Sequence, residues 1–331
     1  MTASPFISIV LPVFNEERYI ERCLASVLSS GYPDERFEIL VADGCSTDRT
    51  VEIVRAMAAE FPQIRLIENP RRLQSAGTNT AARAATAQAE FLVRLDAHSR
   101  YPEGFIPRCI QTAIETRAEL VVFVNEPHGM TPFQEAVAFA FAHPLGVGDS
   151  LYRLGNFSGY VDHGQHGCFR REFYDRVGGY DEGMSHNEDS ELSYRILSAG
   201  GRIYLDRELR MHYFPRAGFQ PLGMQYFKYG QGRAANFYKH RGGGLRPRQL
   251  APPTLIAMET AAVLLSPWLS ALLLLPLGYF GLLLTVAVSA AVIKRRPALL
   301  LAAPVFWLMH HAWGAGFVWG LLQKSLRGAH R

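Results

Sequence analysis

Several polar residues stand directly after apolar runs, where side chains able to bind or transfer groups would be exposed. Asn15 and Glu16 follow the run 7–13, Asp43 follows 38–42, and Asp96 and His98 follow 90–95. Asp96 is a hard oxygen donor suited to a divalent cation. His98, two residues on, adds an imidazole that suits Mn2+ better than Mg2+. Alternatively, His98 touches a phosphate and leaves the metal to Asp96 alone. Asp43 can accept a hydrogen bond from a ligand or cap a turn. Glu188 and Asp189, in the stretch NEDSEL, are adjacent carboxylates. Taken alone, that stretch is best explained as a helix start, with Asn187 as cap and acidic residues at the positive end of the helix dipole. His163, His166 and Cys168 lie close together, but they are three potential ligands and not four, so no structural zinc site is expected. Arg71, Arg72, Gln74 and Asn79 offer further polar contacts, with solvated surface positions as the plainer explanation for the arginines.

The elements that position these residues follow from hydrophobic periodicity. The runs 7–13, 38–42, 64–67 and 90–95 are nearly continuous apolar stretches, as expected for strands buried on both faces. Between them lie helical patterns: one from Asn15 with Ile20, Leu24, Val27 and Leu28 on a face, one capped by Ser46-Thr47-Asp48, and an alanine-rich one at 75–87. Alternating strands and helices imply an α/β fold with a parallel sheet and right-handed crossovers. Ligands bind beyond the carboxyl ends of such strands. Asn15, Glu16, Asp43, Asp96 and His98 therefore converge on one edge.

The chain has 331 residues, enough for one large domain and a further element, and its net charge is +4. The basic residues are dispersed, which excludes nucleic acid as the main partner. Four cysteines without paired spacing suit a reducing compartment, and the first apolar run lacks the basic lead of a signal peptide. Residues 255–322 are almost wholly apolar. A bilayer core needs about 20 apolar residues per helix, so two or three spans are expected, at 255–275, 277–293 and 299–322, with Pro276 and Pro297 at the turns. Lys239, Arg241, Arg246 and Arg248 precede this region, and Lys294, Arg295 and Arg296 interrupt it. With both clusters on the positive-inside face, the preceding domain is cytoplasmic. A crossing third segment would carry Lys324, Arg327 and Arg331 to the far side, so a re-entrant course for it stays open. The expected organisation is a soluble domain at 1–248 and a membrane region at 249–331.

The stretches IVLPVFNEERYIERCLASV, VADGCSTDRTVEIV, VRLDAHSRYP, HGCFRREFYDRVGGYDE and NEDSELSYRI, in this order, resemble family 2 glycosyltransferases of the GT-A fold. The likeness is greatest to the exopolysaccharide-building subgroup, succinoglycan glucosyltransferases among them, and covers residues 6–235. It implies a mixed Rossmann-like sheet and an inverting hexosyltransferase. The donor is then a UDP-sugar, with glucose the sugar suggested, and Asp43 recognises uracil; Gly44 stands where the family commonly has a second acid. Donor contacts fall on Pro12, Asn15, Glu16, Asp43, Arg72, Asn79, Asp96 and Arg233. Asp96 and His98 occupy the slot of the family's metal signature, implying Mg2+ or Mn2+. Asp189 corresponds to the general base, with Glu188 orienting it or binding the acceptor. The acceptor is a polyprenyl-diphosphate-linked sugar at the inner (plasma) membrane, in a multi-pass protein. The Gln-x-x-Arg-Trp signature of processive relatives is absent, which implies one sugar per encounter. A polyprenyl-phosphate sugar synthase, or an inactive nucleotide-sugar-binding protein, are the competing readings.

Overall fold

The computed structural model describes residues 4–242 and 246–328. The chain forms two compact units. One comprises residues up to Glu126 with Leu151–Tyr213, and the other comprises Pro127–Ser150 with residues from Phe214 onward. The division differs from the expected boundary at Arg248, because segment 127–150 and the chain from Phe214 join the apolar C-terminal region.

The first unit is built on strands β1 (Ile7–Val13), β2 (Phe37–Asp43), β3 (Ile64–Glu68), β4 (Phe91–Arg94), β5 (Ser99–Arg100) and β6 (Leu120–Pro127), with helices α1 (Ile20–Leu28), α2 (Thr50–Glu60), α3 (Gln74–Ala84) and α4 (Phe105–Thr116) between them. After segment 127–150, which carries α5 (Pro132–Phe141) and α6 (Pro144–Val147), come α7 (Leu151–Leu154), β7 (Gly159–Val161), β8 (Gly167–Arg170), α8 (Arg171–Arg176), α9 (Glu188–Ser198) and β9 (Ile203–Tyr213). One sheet runs β3-β2-β1-β4-β8-β6-β9-β5, with β7 against β9. β1 to β4 are parallel, as their nearly continuous apolar runs predict; β1 and β2 are buried at every position, whereas β3, at the sheet edge, is exposed at Arg65 and Glu68. From β4 onward the sheet turns antiparallel, since β8 pairs β4 and β6 in the opposite sense. This mixed sheet is the one that the resemblance to the GT-A fold implies, the strand–helix alternation having predicted its parallel half.

Local starts differ from the sequence patterns for identifiable reasons. α1 begins at Ile20 and not near Asn15, because Asn15 sits in the left-handed region at φ 55°. Ser46 and Thr47 do not cap α2, because they bond to Asn15. Asp48 does that work, accepting from the Thr50 N–H at 3.0 Å and hydroxyl at 2.6 Å. Asn187 stands at the N-cap of α9, also left-handed, without a side-chain capping bond.

The second unit contains α5 and α6, then α10 (Phe219–Lys239), α11 (Ala251–Leu265), α12 (Leu274–Ile293) and α13 (Ala302–Gly328). Two segments, Ser270–Ile293 and Pro297–Leu326, are long and apolar enough to cross a membrane. The first expected span, 255–275, is not continuous: α11 stops at Leu265 ahead of Ser266-Pro267, leaving 15 residues. At 1.5 Å per residue that is about 22 Å, short of a hydrocarbon core of about 30 Å. Pro276 is no boundary either, since it lies in the first turn of α12, where a missing N–H is tolerated. Pro297 does open a new turn. Both basic clusters meet segment 127–150: Arg246 and Arg248 pair with Asp149, and Arg296 pairs with Glu135 at 3.5 Å. Of the distal basic residues, Lys324 is an exposed member of α13, whereas the Arg327 side chain and Arg331 lie outside the described residues.

α13 lies along α10 through glycines. A Cβ at Gly316 would stand 1.9 Å from the Phe227 carbonyl oxygen, and one at Gly230 would stand 2.1 Å from that of Trp313. Gly316 and Gly320 form a small-xxx-small edge, the pattern that lets helix backbones approach closely in apolar surroundings. Substituting Gly316 by Leu is therefore expected to separate the pair and lower the stability of the detergent-solubilised protein by at least 1–3 kcal/mol, roughly the cost of overpacking. An unchanged melting temperature would show that this contact is dispensable.

Candidate active site

The parallel half of the sheet aligns its strand ends: Val13 stands beside Asp43, and Val10 beside Arg94. Asp96, two residues past β4, thus reaches the same edge. A half-open cleft of about 580 Å³, counted out to its mouth, lies there, lined among others by Pro12, Glu16, Arg72, Gln74, Asp96 and His98. Six of the residues singled out in the sequence therefore share one cavity in the first unit: Pro12, Glu16, Arg72, Gln74, Asp96 and His98.

Asp96 is 5% exposed and held from several sides. Its N–H donates to the Tyr101 hydroxyl at 2.8 Å, and its Oδ1 accepts from Gln74 Nε2 at 3.0 Å. Oδ2 lies against His166 Nε2 and 3.7 Å from His98 Nε2. His98 Nδ1 in turn meets Glu16 Oε1 at 3.1 Å. Burial pushes the Asp96 carboxyl up, but His166, Arg94 and His98 outweigh it and hold it below its usual value. Burial keeps His166 below the ordinary imidazole range although Asp96 pulls the other way.

His166 arrives through the sheet's change of direction. β8 runs antiparallel to β4 with Gly167 opposite Arg94, so the residue before β8 meets the residues after β4. The His163, His166 and Cys168 group, too small for a structural zinc site, disperses in the fold. His163 Nδ1 meets Asp162 at 3.1 Å, and Cys168 is fully buried within β8. His166 alone turns to Asp96, and its buried Nδ1 has no hydrogen-bond partner. Asp96 Oδ2 thus faces two imidazoles, His166 directly and His98 at 3.7 Å, and carboxylate with imidazole are donor types that suit a divalent cation of the Mn2+ type.

Glu188 and Asp189 open α9. Asp189 Oδ1 accepts from Arg94 Nη1 at 2.7 Å and from the Tyr180 hydroxyl at 2.8 Å. Arg94, which the sequence did not mark, is 1% exposed; its Nη2 stands 3.6 Å from Asp96 Oδ1 and its guanidinium lies 5.4 Å from the centre of the Tyr180 ring. A charged residue inside an apolar strand is the one signal that could have revealed it. Glu188 is buried, and that burial together with the neighbouring Asp189 carboxylate pushes its pKa up to about 8.

The remaining expected residues take other places. Asp43 is 8% exposed, and both its oxygens face the Ser46 N–H, at 3.3 and 3.0 Å. Asn15 ties the loop after β1 to the loop after β2, its Oδ1 accepting from the Thr47 N–H at 2.8 Å. Asn79 was expected at the donor, but its amide is committed to the protein. Nδ2 donates to the Tyr180 carbonyl at 2.8 Å and to Glu182 Oε1 at 3.0 Å, while Oδ1 accepts from the Tyr174 hydroxyl and the Tyr180 N–H. Arg71 pairs with Glu182. Arg233 lies on α10 in the second unit, largely buried. Phe14, 49% exposed on the cleft wall, was missed because the sequence made it only a neighbour of Asn15.

A family model, "Glycosyl transferase family 2", matches residues 8–178. Over 324 residues, 97% of this chain and 96% of the relative, 40% are identical to the succinoglycan biosynthesis protein ExoA of Rhizobium meliloti (strain 1021). A dolichyl N-acetyl-alpha-D-glucosaminyl phosphate 3-beta-D-2,3-diacetamido-2,3-dideoxy-beta-D-glucuronosyltransferase of Methanococcus voltae is 26% identical over 330 residues, 97% of this chain and 98% of that one. Among solved structures, the mannosyltransferase PcManGT from Pyrobaculum calidifontis, in complex with GDP-Man and Mn2+, aligns with a TM-score of 0.65 at 22% identity, covering 98% of this chain and 89% of that one. This last likeness supports the fold.

The raised pKa of Glu188 has a consequence for stability. In the unfolded chain it titrates near 4.5 and in the folded protein near 8, so between those values the native state binds the extra proton. Raising the pH through that window therefore weakens folding. Glu188→Gln should gain stability relative to the wild type as pH rises from about 4.5 to 8, and no further above it. Parallel denaturation curves at pH 5 and pH 8 would contradict this assignment.

Proposed function

The chain belongs to glycosyl transferase family 2, and from that membership we propose that it transfers a sugar from a UDP-sugar to a hydroxyl of a lipid-linked oligosaccharide, with inversion, in exopolysaccharide synthesis. The observation that carries the mechanism is the arrangement around Asp189. Two fixed donors hold Oδ1, and among the described residues no protein donor reaches Oδ2. Oδ2 is then the atom that takes the proton from the acceptor hydroxyl. The hydroxyl oxygen attacks the anomeric carbon as the bond to the diphosphate breaks, and UDP departs with the electron pair. A single displacement converts an α-linked donor into a β-glycoside. Glu188, neutral at pH 7, adds no second negative charge beside the base and can donate a hydrogen bond to the acceptor.

Asp96, His98 and His166 are the residues to hold a divalent cation, which neutralises the growing charge of the leaving diphosphate when bound. Arg72, on the cleft wall, is suited to the same phosphates. Asp43 at the end of β2 favours uridine, since a carboxylate accepts from the uracil imide N–H that cytosine lacks, and exposed Phe14 offers a ring for the base to stack on. Glucose as the sugar is supported by the likeness to the succinoglycan relative. The apolar helices of the second unit hold the protein at the inner membrane. The two basic clusters, whose Arg246 and Arg296 pair with Asp149 and Glu135 of segment 127–150, favour placing that side in the cytoplasm.

Three measurements test this reading. Asp189→Asn should leave UDP affinity unchanged and lower turnover by about two to four orders of magnitude, the usual contribution of a positioned base; near-normal turnover, or an α-linked product by NMR, contradicts the mechanism. Asp96→Ala should abolish the EDTA-sensitive part of donor binding, and affinity that ignores EDTA in the wild type would remove the cation from the scheme. UDP should compete with the donor where GDP and CDP do not, and equal inhibition by all three would overturn the uridine assignment.

A further inference from the structure

We infer that Arg94 is a positioning residue of the transfer: its guanidinium holds the Asp189 carboxylate in fixed relation to Asp96, keeping the base in register with the donor's diphosphate end. This rests on the proposed role of Asp189. Arg94 ends β4, and strand alternation sends its side chain to the same face as Asp96, two residues on. It is 1% exposed, in a place that a leucine or methionine could fill. Burying an arginine there is unfavourable unless the charge is matched. Nη1 meets Asp189 Oδ1 at 2.7 Å and Nη2 stands 3.6 Å from Asp96 Oδ1, so one rigid fork faces two carboxylates that are 93 positions apart in the chain. A lysine offers one point charge and cannot span both.

The consequence for the base is geometric. Arg94 and the Tyr180 hydroxyl both occupy Oδ1, which fixes the carboxylate plane and keeps Oδ2 directed away from the protein donors. Without the guanidinium, Asp189 keeps only Tyr180 and rotates about its own side chain. Donor binding does not depend on that rotation, whereas proton removal does. Losing Arg94 should therefore appear in kcat and not in KM for the donor. A displaced base also leaves bound donor open to water, so hydrolysis should rise relative to transfer.

The experiment uses the full chain, purified in detergent, as wild type, Arg94→Lys, Arg94→Met, Asp189→Asn and the double variant Arg94→Met/Asp189→Asn. UDP affinity is measured by calorimetry, folding by thermal denaturation, and sugar transfer and donor hydrolysis separately. Arg94→Lys, which keeps the charge and loses the fork, should lower the transfer kcat about tenfold with donor KM within about threefold; Arg94→Met should lower it about a hundredfold, inside the range expected for a base. The hydrolysis-to-transfer ratio should rise in both. The double variant should be no slower than Asp189→Asn alone, because the two residues act as one unit. Arg94→Lys with wild-type kcat, or losses that multiply in the double variant, overturns the inference. If Arg94→Met does not fold, Arg94→Lys and the double variant, which removes both charges of the pair, decide the question. An inactive Asp189→Asn beside a fully active Arg94→Lys sinks only the role of Arg94, whereas a fully active Asp189→Asn sinks the base itself.

Discussion

A single buried positive charge organises the strand-end edge of the first unit. Arg94 sits at the end of β4 with almost no exposure, and a guanidinium without counter-charge at that depth would be strongly destabilising. It is stable there because Asp96, from the same strand end, and Asp189, from the start of α9, lie against it. The requirement works in both directions. The Asp189 carboxylate is in turn held in place by the guanidinium, whereas Asp96 has Gln74, Tyr101 and His166 as well, and Glu188, beside Asp189 and without a second cation, is driven toward its neutral form.

The rest of the edge consists of devices that keep these groups still. Tyr101 bonds the Asp96 backbone in both directions, and Gln74 takes the carboxylate oxygen that faces Arg94. On the other side, the Asn79 amide holds the backbone of Tyr180, whose hydroxyl reaches Asp189. This works because the preceding residue is Gly179, at φ 65°, where a Cβ would stand 2.6 Å from Asn79 Oδ1. Asn79 thus holds Tyr180, and through it Asp189, by way of the turn.

The second unit shows the same dependence on close approach with different chemistry. α10 and α13 meet along glycines because neither could otherwise bring its backbone near the other. Polar groups inside the apolar helices are paired: His311 Nε2 meets Glu259 Oε2 at 2.6 Å, and His310 Nε2 lies 2.8 Å from the Leu145 carbonyl oxygen. In low-dielectric surroundings such pairing joins helices that have no hydrophobic reason to prefer one another.

The sequence determined a good deal of this by itself. Nearly continuous apolar runs defined β1 to β4, and parallel strands place their ends on one edge, so Glu16, Asp96 and His98 were legible as neighbours from the strand pattern alone. The ordered motifs also identified the fold. The helix boundaries after Leu255 were less legible, because an apolar run states that residues are buried or in lipid and not where a helix stops; Ser266-Pro267 decided that. The partners of Asn79 were not legible because a polar side chain in a sequence does not reveal which group completes it. The partners of His166 and Arg94 were invisible for a deeper reason. Only the antiparallel insertion of β8 beside β4 brings His166 to Asp96, and only the packing of α9 onto that edge brings Asp189 to Arg94. Pairings across 70 and 95 positions are set by strand direction and by the need to match a buried charge, and both belong to the tertiary structure alone.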